Sequence, residues 1–552
     1  MRRRFLFAAL CASASAMVPS IAHAEDANIV VNGQALSKWK LAESDHFKIY
    51  GAGDEKYLAK LSGRLEAVHY LLKIATRFQE PADDKIVKVK VYVVDDIADV
   101  RQLIGDPQSS AAGYYDAQLA GAISVIPRKT GTDGSFSGEL ILFHEYAHHF
   151  MLQYQAAAYP AWYVEGFAEI IGTASFEKPG MITFGKAAKH REAEMRGTNR
   201  YPAAKMVDGR YLKESRSAEG WGYDDAWILA HYLTFSDDRK GQLAAYINAI
   251  NAGKSFTEAA TAFGDLNRLS RDLNVYIDGG SVPYKTPALP PEIMKEPDIR
   301  ALTVAEAEYI EPLIEMERVT RISTREEYDV LVKHREKLGR PIKKEFDTYF
   351  AEESAIRDKW MKELNAKVAR LPNEVVSWTV KAQAECMAKD FTTCEASADR
   401  ALMLQPDSWE GMLRKGQALL GLASDDKNPD KKAVAKDARK WLLKANAANP
   451  SAHEPLLHYY ESFSAEGRGA PAEAIAALEQ VVDTIPQIDR PRLMLGQELI
   501  ARGRFAEARK RLKPLAFSPH ESPSQSAALA LLEALDEKVA AKEPVSGEAA
   551  AD

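Results

Sequence analysis

The hydrophobic pattern changes character along the chain. "HFKIY" (46–50) and "IVKVKVYVV" (86–94) alternate apolar and polar positions as half-buried strands do. Between them "YLAKLSGRLEAVHYLLKIATRF" (57–78) repeats its apolar residues at helical spacing. "AAGYYDAQLAGAISVIP" (111–127) predicts a hairpin, and beyond the glycine-rich "GTDGS" a helical pattern begins near Gly138. Helices dominate from there on. Pro283, Pro287, Pro290, Pro291 and Pro297 cannot continue a helix interior or a central strand, which predicts a Pro-rich linker over 281–299. Residues 300–372 read as a charged, helical connecting region, whose basic run "KHREKLGRPIKK" (333–344) is a solvated helix face.

From 373 to 538 a repeat emerges. "WTVKAQAECMAKDFTTCEASADRALMLQP" resembles a tetratricopeptide unit, with Trp378, Ala382, Phe391, Cys394, Ala398, Ala401 and Pro406 at that pattern's large, small and terminating positions. "LGQELIARGRFAEARKRLKPLAFSP" repeats it with Gly496, Gly503, Phe505 and Ala508, and two looser copies end at Pro450 and Pro486. About four helical pairs are expected, closed by a capping helix near 522–538. Such an array offers either a concave protein-binding surface or a packing module. Residues 539–552 read as a disordered tail.

Length and composition narrow the class. A chain of 552 residues implies roughly three or four domains, and 46% hydrophobic with 27% charged residues is a soluble, globular balance. Three arginines, an apolar run and Ala22-His23-Ala24 make residues 1–24 read as a cleavable signal peptide, so an exported protein, periplasmic or secreted, is expected. No later stretch is long and apolar enough for a transmembrane segment in the mature chain. The net charge of −7, deepened by loss of the leader's arginines, excludes nucleic acid as a natural partner. Cys386 and Cys394 then remain, either bridged in an oxidising compartment or buried as free thiols.

The chemistry sits in "HEYAHHFMLQY" (144–154). On a helix His144 and His148 stack on one face where both can hold one metal ion, and Glu145 projects about 100° further round, towards a water rather than the metal. An amphipathic helix with incidental histidines would look the same, so a third ligand must decide. "PAWYVEGFAEIIG" (160–172) supplies it: a short turn and an antiparallel second helix bring Glu165 to the site, with Glu169 one turn on as a hydrogen-bond partner for a ligand histidine. Two imidazoles and one carboxylate leave an open position and suit Zn2+. His149 reads as a supporting or structural residue.

HEYAH followed by EGFAE resembles the gluzincin metallopeptidases, the thermolysin and aminopeptidase-N type, over about residues 25–280. The resemblance implies an α+β zincin-like metallopeptidase domain, followed here by an all-α tetratricopeptide-like helical repeat domain. It carries the family's ligand glutamate to Glu165 and its intermediate-stabilising tyrosine to Tyr223 in "GYDDAWILAHYL", where His231 and Tyr232 are rivals. The gap from His148 to Glu165 is shorter by two than the family's. The acidic residue that grips a free amino terminus has no counterpart in "GAISVIP" (121–127), the strand expected to pair with an extended peptide.

The expected function is therefore hydrolysis of peptide bonds in a peptide or protein substrate, using Zn2+ held by His144, His148 and Glu165, with Glu145 and Tyr223 catalytic. The repeats add a surface for a protein partner. The alternative is a non-enzymatic scaffold or adaptor of the cell envelope with a structural or inactive zinc site.

Overall fold

The computed structural model describes residues 29–31, 34–79, 87–109, 111–129, 137–154, 157–187, 201–209, 223–279, 282–322, 324–337, 341–425, 427–517 and 523–540. The signal peptide expected at 1–24 lies outside the described residues, as does the tail expected at 539–552 from residue 541 on, its first two residues ending the last helix.

The first half is built on a seven-stranded mixed sheet. Its strands are β1 (Ile29–Val31), β2 (Gln34–Glu43), β3 (Phe47–Ala52), β4 (Val89–Val94), β5 (Tyr114–Asp116), β6 (Ile123–Pro127) and β7 (Asp298–Thr303), and the order is β1-β2-β3-β4-β6-β5 with β7 also on β2. The β3–β4 and β4–β6 pairs are parallel and the others antiparallel. Alternation along β3 puts Phe47 and Ile49 on one face, where they meet Leu58, Leu65 and Leu72 of helix α1 (Glu55–Thr76) and Tyr146 and Phe150 of helix α3 (Gly138–Tyr154). On the opposite face Leu41, Tyr92, Ile123 and Val125 pack against Val100 and Leu103 of helix α2 (Ile97–Ile104) and against Ile310 and Ile314 of the helix Ile310–Thr320. Covered on both faces, β6 is buried along its whole length.

Two elements depart from the sequence expectation. The charged region expected to be helical from residue 300 opens with strand β7, whose Asp298, Arg300 and Ala301 pair with Glu43, Leu41 and Lys40. Its pattern is too short to announce itself, and what fixes it is a distant partner strand. The Pro-rich segment is not a free spacer either. The amides of Ile182 and Leu289 donate to the carbonyls of Pro287 and Gly180, and Phe184 and Lys285 exchange backbone hydrogen bonds. Proline cannot donate to a ladder but its carbonyl still accepts.

The second half is helical. After the helix Phe346–Arg370 come four antiparallel pairs: Val375–Met387 with Phe391–Leu404, Trp409–Ala423 with Lys431–Ala448, Glu454–Ala465 with Ala472–Thr484, and Asp489–Ala501 with Phe505–Ala516; Pro523–Ala540 follows. A Cβ on Gly496 would stand 2.4 Å from Leu512 Cδ2, so glycine is what lets that pair close. Cys386 and Cys394 form a disulfide across the first pair. The array folds back onto the sheet domain. Val87 and Leu119 pack on its core, Gln153 Nε2 donates to Thr484 O, and the Phe256 and Phe517 rings meet edge-on at 5.4 Å. Among the described residues no helix is long and apolar enough to cross a membrane.

Candidate metal centre

Helix α3 carries the HEYAH segment. Ser137 Oγ accepts from the amide of Leu140 and so caps its start, while one face, through Phe143, Tyr146, Ala147 and Phe150, is pressed into the core. His144 and Glu145 are half-buried, and His148 is buried. The second helix, α4 (Ala161–Gly172), runs back against α3. The turn before it is clamped by Asn251, whose Oδ1 accepts from the amide of Ala158 at 2.9 Å and whose Nδ2 donates to its carbonyl at 3.0 Å. Behind α4 packs the helix Tyr223–Phe235, so closely that a Cβ on Gly166 would stand 2.2 Å from the Ala226 carbonyl oxygen.

The outcome is a convergence of donors. His148 Nε2 is 3.1 Å from His144 Nε2, and Glu165 Oε2 is 3.4 Å from His148 Nε2 and 3.7 Å from His144 Nε2. Atoms bound at about 2.0–2.2 Å to a tetrahedral Zn2+ lie roughly 3.3–3.6 Å from one another, so the three separations bracket one edge length of that polyhedron. Glu169 lies behind, its Oε1 3.9 Å from His144 Nδ1. Three carboxylates thus crowd two imidazoles. Burial pushes the Glu145 carboxyl above the usual range and Glu165 adds to this, with His148 opposing. Burial alone would lower the His148 imidazole, but Glu165, Glu145 and Glu169 outweigh it and hold it above its ordinary value. The rise at His148 reflects the carboxylates gathered around it, and the donor set of two imidazoles and a carboxylate fits Zn2+.

The remaining predicted residues fall as follows. Tyr223 is the first residue of the helix Tyr223–Phe235, and its side chain lies outside the described residues. Its rivals are engaged elsewhere: His231 is stacked between Trp227 and Phe235, with Nε2 donating to Gly185 O at 2.7 Å and Nδ1 2.8 Å from the Tyr276 hydroxyl, and the Tyr232 hydroxyl accepts from Arg239 Nε. The strand at 121–127, expected to pair with a peptide, is corrected. It becomes β6, paired by β4 on one side and β5 on the other, so among the described residues the edge strand on this side of the sheet is β5.

Sequence reasoning missed a buried polar chain behind the motif. Glu66 accepts from the amide of His46 at 2.9 Å and lies 2.6 Å from its Nδ1; the His46 and His69 rings stack at 3.7 Å; His69 Nδ1 is 2.6 Å from the Tyr146 hydroxyl. The Tyr146 ring stacks on His149, whose Nδ1 is 2.7 Å from the hydroxyl of Tyr115 on β5. Burial pushes the His149 imidazole down to about 3 and so keeps it neutral, and burial together with Asp116 and Glu145 raises the Tyr115 phenol well above its ordinary value. The available signal was "YYD", whose alternation sends Tyr114 and Tyr115 to opposite faces of the sheet.

Comparison with known proteins speaks to the other half of the chain. Residues 465–535 match the family described as tetratricopeptide repeat, so the C-terminal helices include tetratricopeptide repeats. A thermophilic TPR protein of Thermus thermophilus, TTC0263, is similar over 33% of this chain and 93% of its own, at 16% identity and a TM-score of 0.29. The MamA RS-1 ArsTM double mutant is similar over 34% of this chain and 87% of its own, at 15% identity and a TM-score of 0.23. No curated protein matches the chain.

Proposed function

We propose that the sheet domain is a zinc-dependent metallopeptidase of gluzincin type, in an exported protein, with the repeats serving as a protein-binding surface. The observation that carries this reading is the convergence of His144, His148 and Glu165 at tetrahedral-edge separations. Zn2+ held by those three would supply Lewis-acid polarisation of a carbonyl oxygen and acidification of water towards a pKa of roughly 7. Glu145, next to His144 on α3, takes the proton of the attacking water and returns it to the leaving amine; its raised carboxyl pKa suits that shuttle. Glu169 orients His144 from the Nδ1 side, and the resemblance of the sequence carries the role of oxyanion donor to Tyr223.

The second reading, a scaffold that binds partners without cutting them, is favoured by the tetratricopeptide match at 465–535. One experiment separates the two. Full-length wild type and Glu145→Gln are compared for zinc content and for cleavage of a mixed peptide library. The peptidase reading expects about one zinc per chain in both and hydrolysis by the wild type alone. Equal cleavage by the variant would remove the mechanism, and zinc-loaded wild type that cuts nothing leaves the scaffold.

A further inference from the structure

The geometry points to Tyr115 and His149 as positioning residues that hold the edge strand β5 alongside the general base, so that an extended peptide added to β5 lies across the metal centre. The inference rests on the peptidase reading for what β5 presents, though not for what the pair does to β5.

The argument begins with helical spacing. Glu145 and His149 are four residues apart on α3, on a stripe about 100° round from the His144–His148 stripe. A strand fastened to His149 is therefore fastened beside Glu145. That strand is β5, through the 2.7 Å contact between the Tyr115 hydroxyl and His149 Nδ1. At three residues, paired on one side by β6, β5 is a weak ladder by itself. Among the described residues no strand pairs with its other side, which makes β5 one edge of the sheet, the kind of edge at which an extended peptide adds as a further strand. The His149 ring is in turn braced from within. Tyr146 stacks on it, His69 meets the Tyr146 hydroxyl, and His46 and Glu66 tie that group to the start of β3. The ring that receives Tyr115 is thus held by the core of the domain, and the Tyr115 hydroxyl adds a polar tie to the packing of β5 on α3.

The test compares Tyr115→Phe, which removes only the hydroxyl, with His149→Gln, which keeps a polar partner for it, and His149→Leu, which does not. Amide hydrogen exchange is measured first on the metal-free full-length chain. Tyr115→Phe and His149→Leu are expected to speed exchange at residues 114–116 roughly tenfold over the rest of the sheet, with His149→Gln closer to the wild type. Zinc content should stay near one per chain in all of them. On the library peptide that the wild type cuts best, Tyr115→Phe should lower kcat/KM roughly tenfold, mostly through a higher KM. Exchange at 114–116 that is unchanged, or raised evenly across the sheet, overturns the inference, as does unchanged KM with intact cleavage. A wild type that cleaves nothing defeats the peptidase reading instead, and the exchange data still decide whether the pair holds β5.

Discussion

Gly166→Ala links the fold to the metal centre in one perturbation. The new Cβ would stand 2.2 Å from the Ala226 carbonyl oxygen and 2.6 Å from Ala230 Cβ. Carbon atoms rest about 3.5–4.0 Å apart, so the helix Tyr223–Phe235 must retreat from α4 by about 1 Å. The obstacle is backbone, which cannot rotate aside as a long side chain would. Overpacking of this kind costs about 1–3 kcal/mol or more, against which alanine's better helix propensity returns about 0.5–1 kcal/mol. The net loss of about 1–2 kcal/mol corresponds to a drop in Tm of roughly 2–4 °C for a domain of this size. Glu165 is the adjacent residue, and its oxygen sits 3.4 and 3.7 Å from its neighbours' nitrogens, so on the proposed reading a displacement of that scale should also weaken zinc binding. Thermal melts followed by circular dichroism, with and without chelator, and a zinc titration measure both. A variant that melts within about 1 °C of the wild type and binds zinc equally would refute the reasoning.

Other predictions follow from single features. Zinc at roughly a thousand times its Kd should stabilise the chelated protein by about 4 kcal/mol, and His148→Ala or Glu165→Ala should abolish that gain in a melt. Burial, with the carboxylates of Asp116 and Glu454 adding and Arg321 opposing, pushes Glu317 up to about 7 from 4.5, so its contribution to stability is present below 4.5 and is lost as pH rises through 7. Glu317→Gln should therefore match the wild type's Tm near pH 4 and exceed it increasingly up to pH 8; a constant difference across that range would count against the assignment. The Cys386–Cys394 bridge spans a separation of 8 residues, and loop-closure entropy gives it about 2.5 kcal/mol, to be read as the drop in unfolding free energy of Cys394→Ala in denaturant.

Much of the site was legible because its spacing is local. The interval from His144 to His148 is one helical turn, and Glu165 and Glu169 repeat that interval on the next helix, so two short stretches specify four of the side chains that meet. The strands at 46–50 and 86–94 were legible for the same reason, since each carries its own alternation. What escaped depends on partners far along the chain. Strand β7 is defined by β2, and its own six residues are as compatible with a charged helix. The identity of the free edge was hidden because a hairpin pattern does not say which of its two strands meets the rest of the sheet, and β4 chose β6. Tyr115 and His149 meet only because that choice puts β5 over α3.

The pairing of β7 with β2 also sets where this chain can be cut. A fragment ending in the Pro-rich segment would carry His144, His148 and Glu165 yet lack Leu302, Ile310 and Ile314, leaving Leu41, Tyr92 and Val125 as a wet apolar face beside an unsatisfied strand. Such a fragment is expected to aggregate. A stable fragment of the first half is therefore expected to need residues past Ile314, and during synthesis the sheet cannot be completed until β7 has been made.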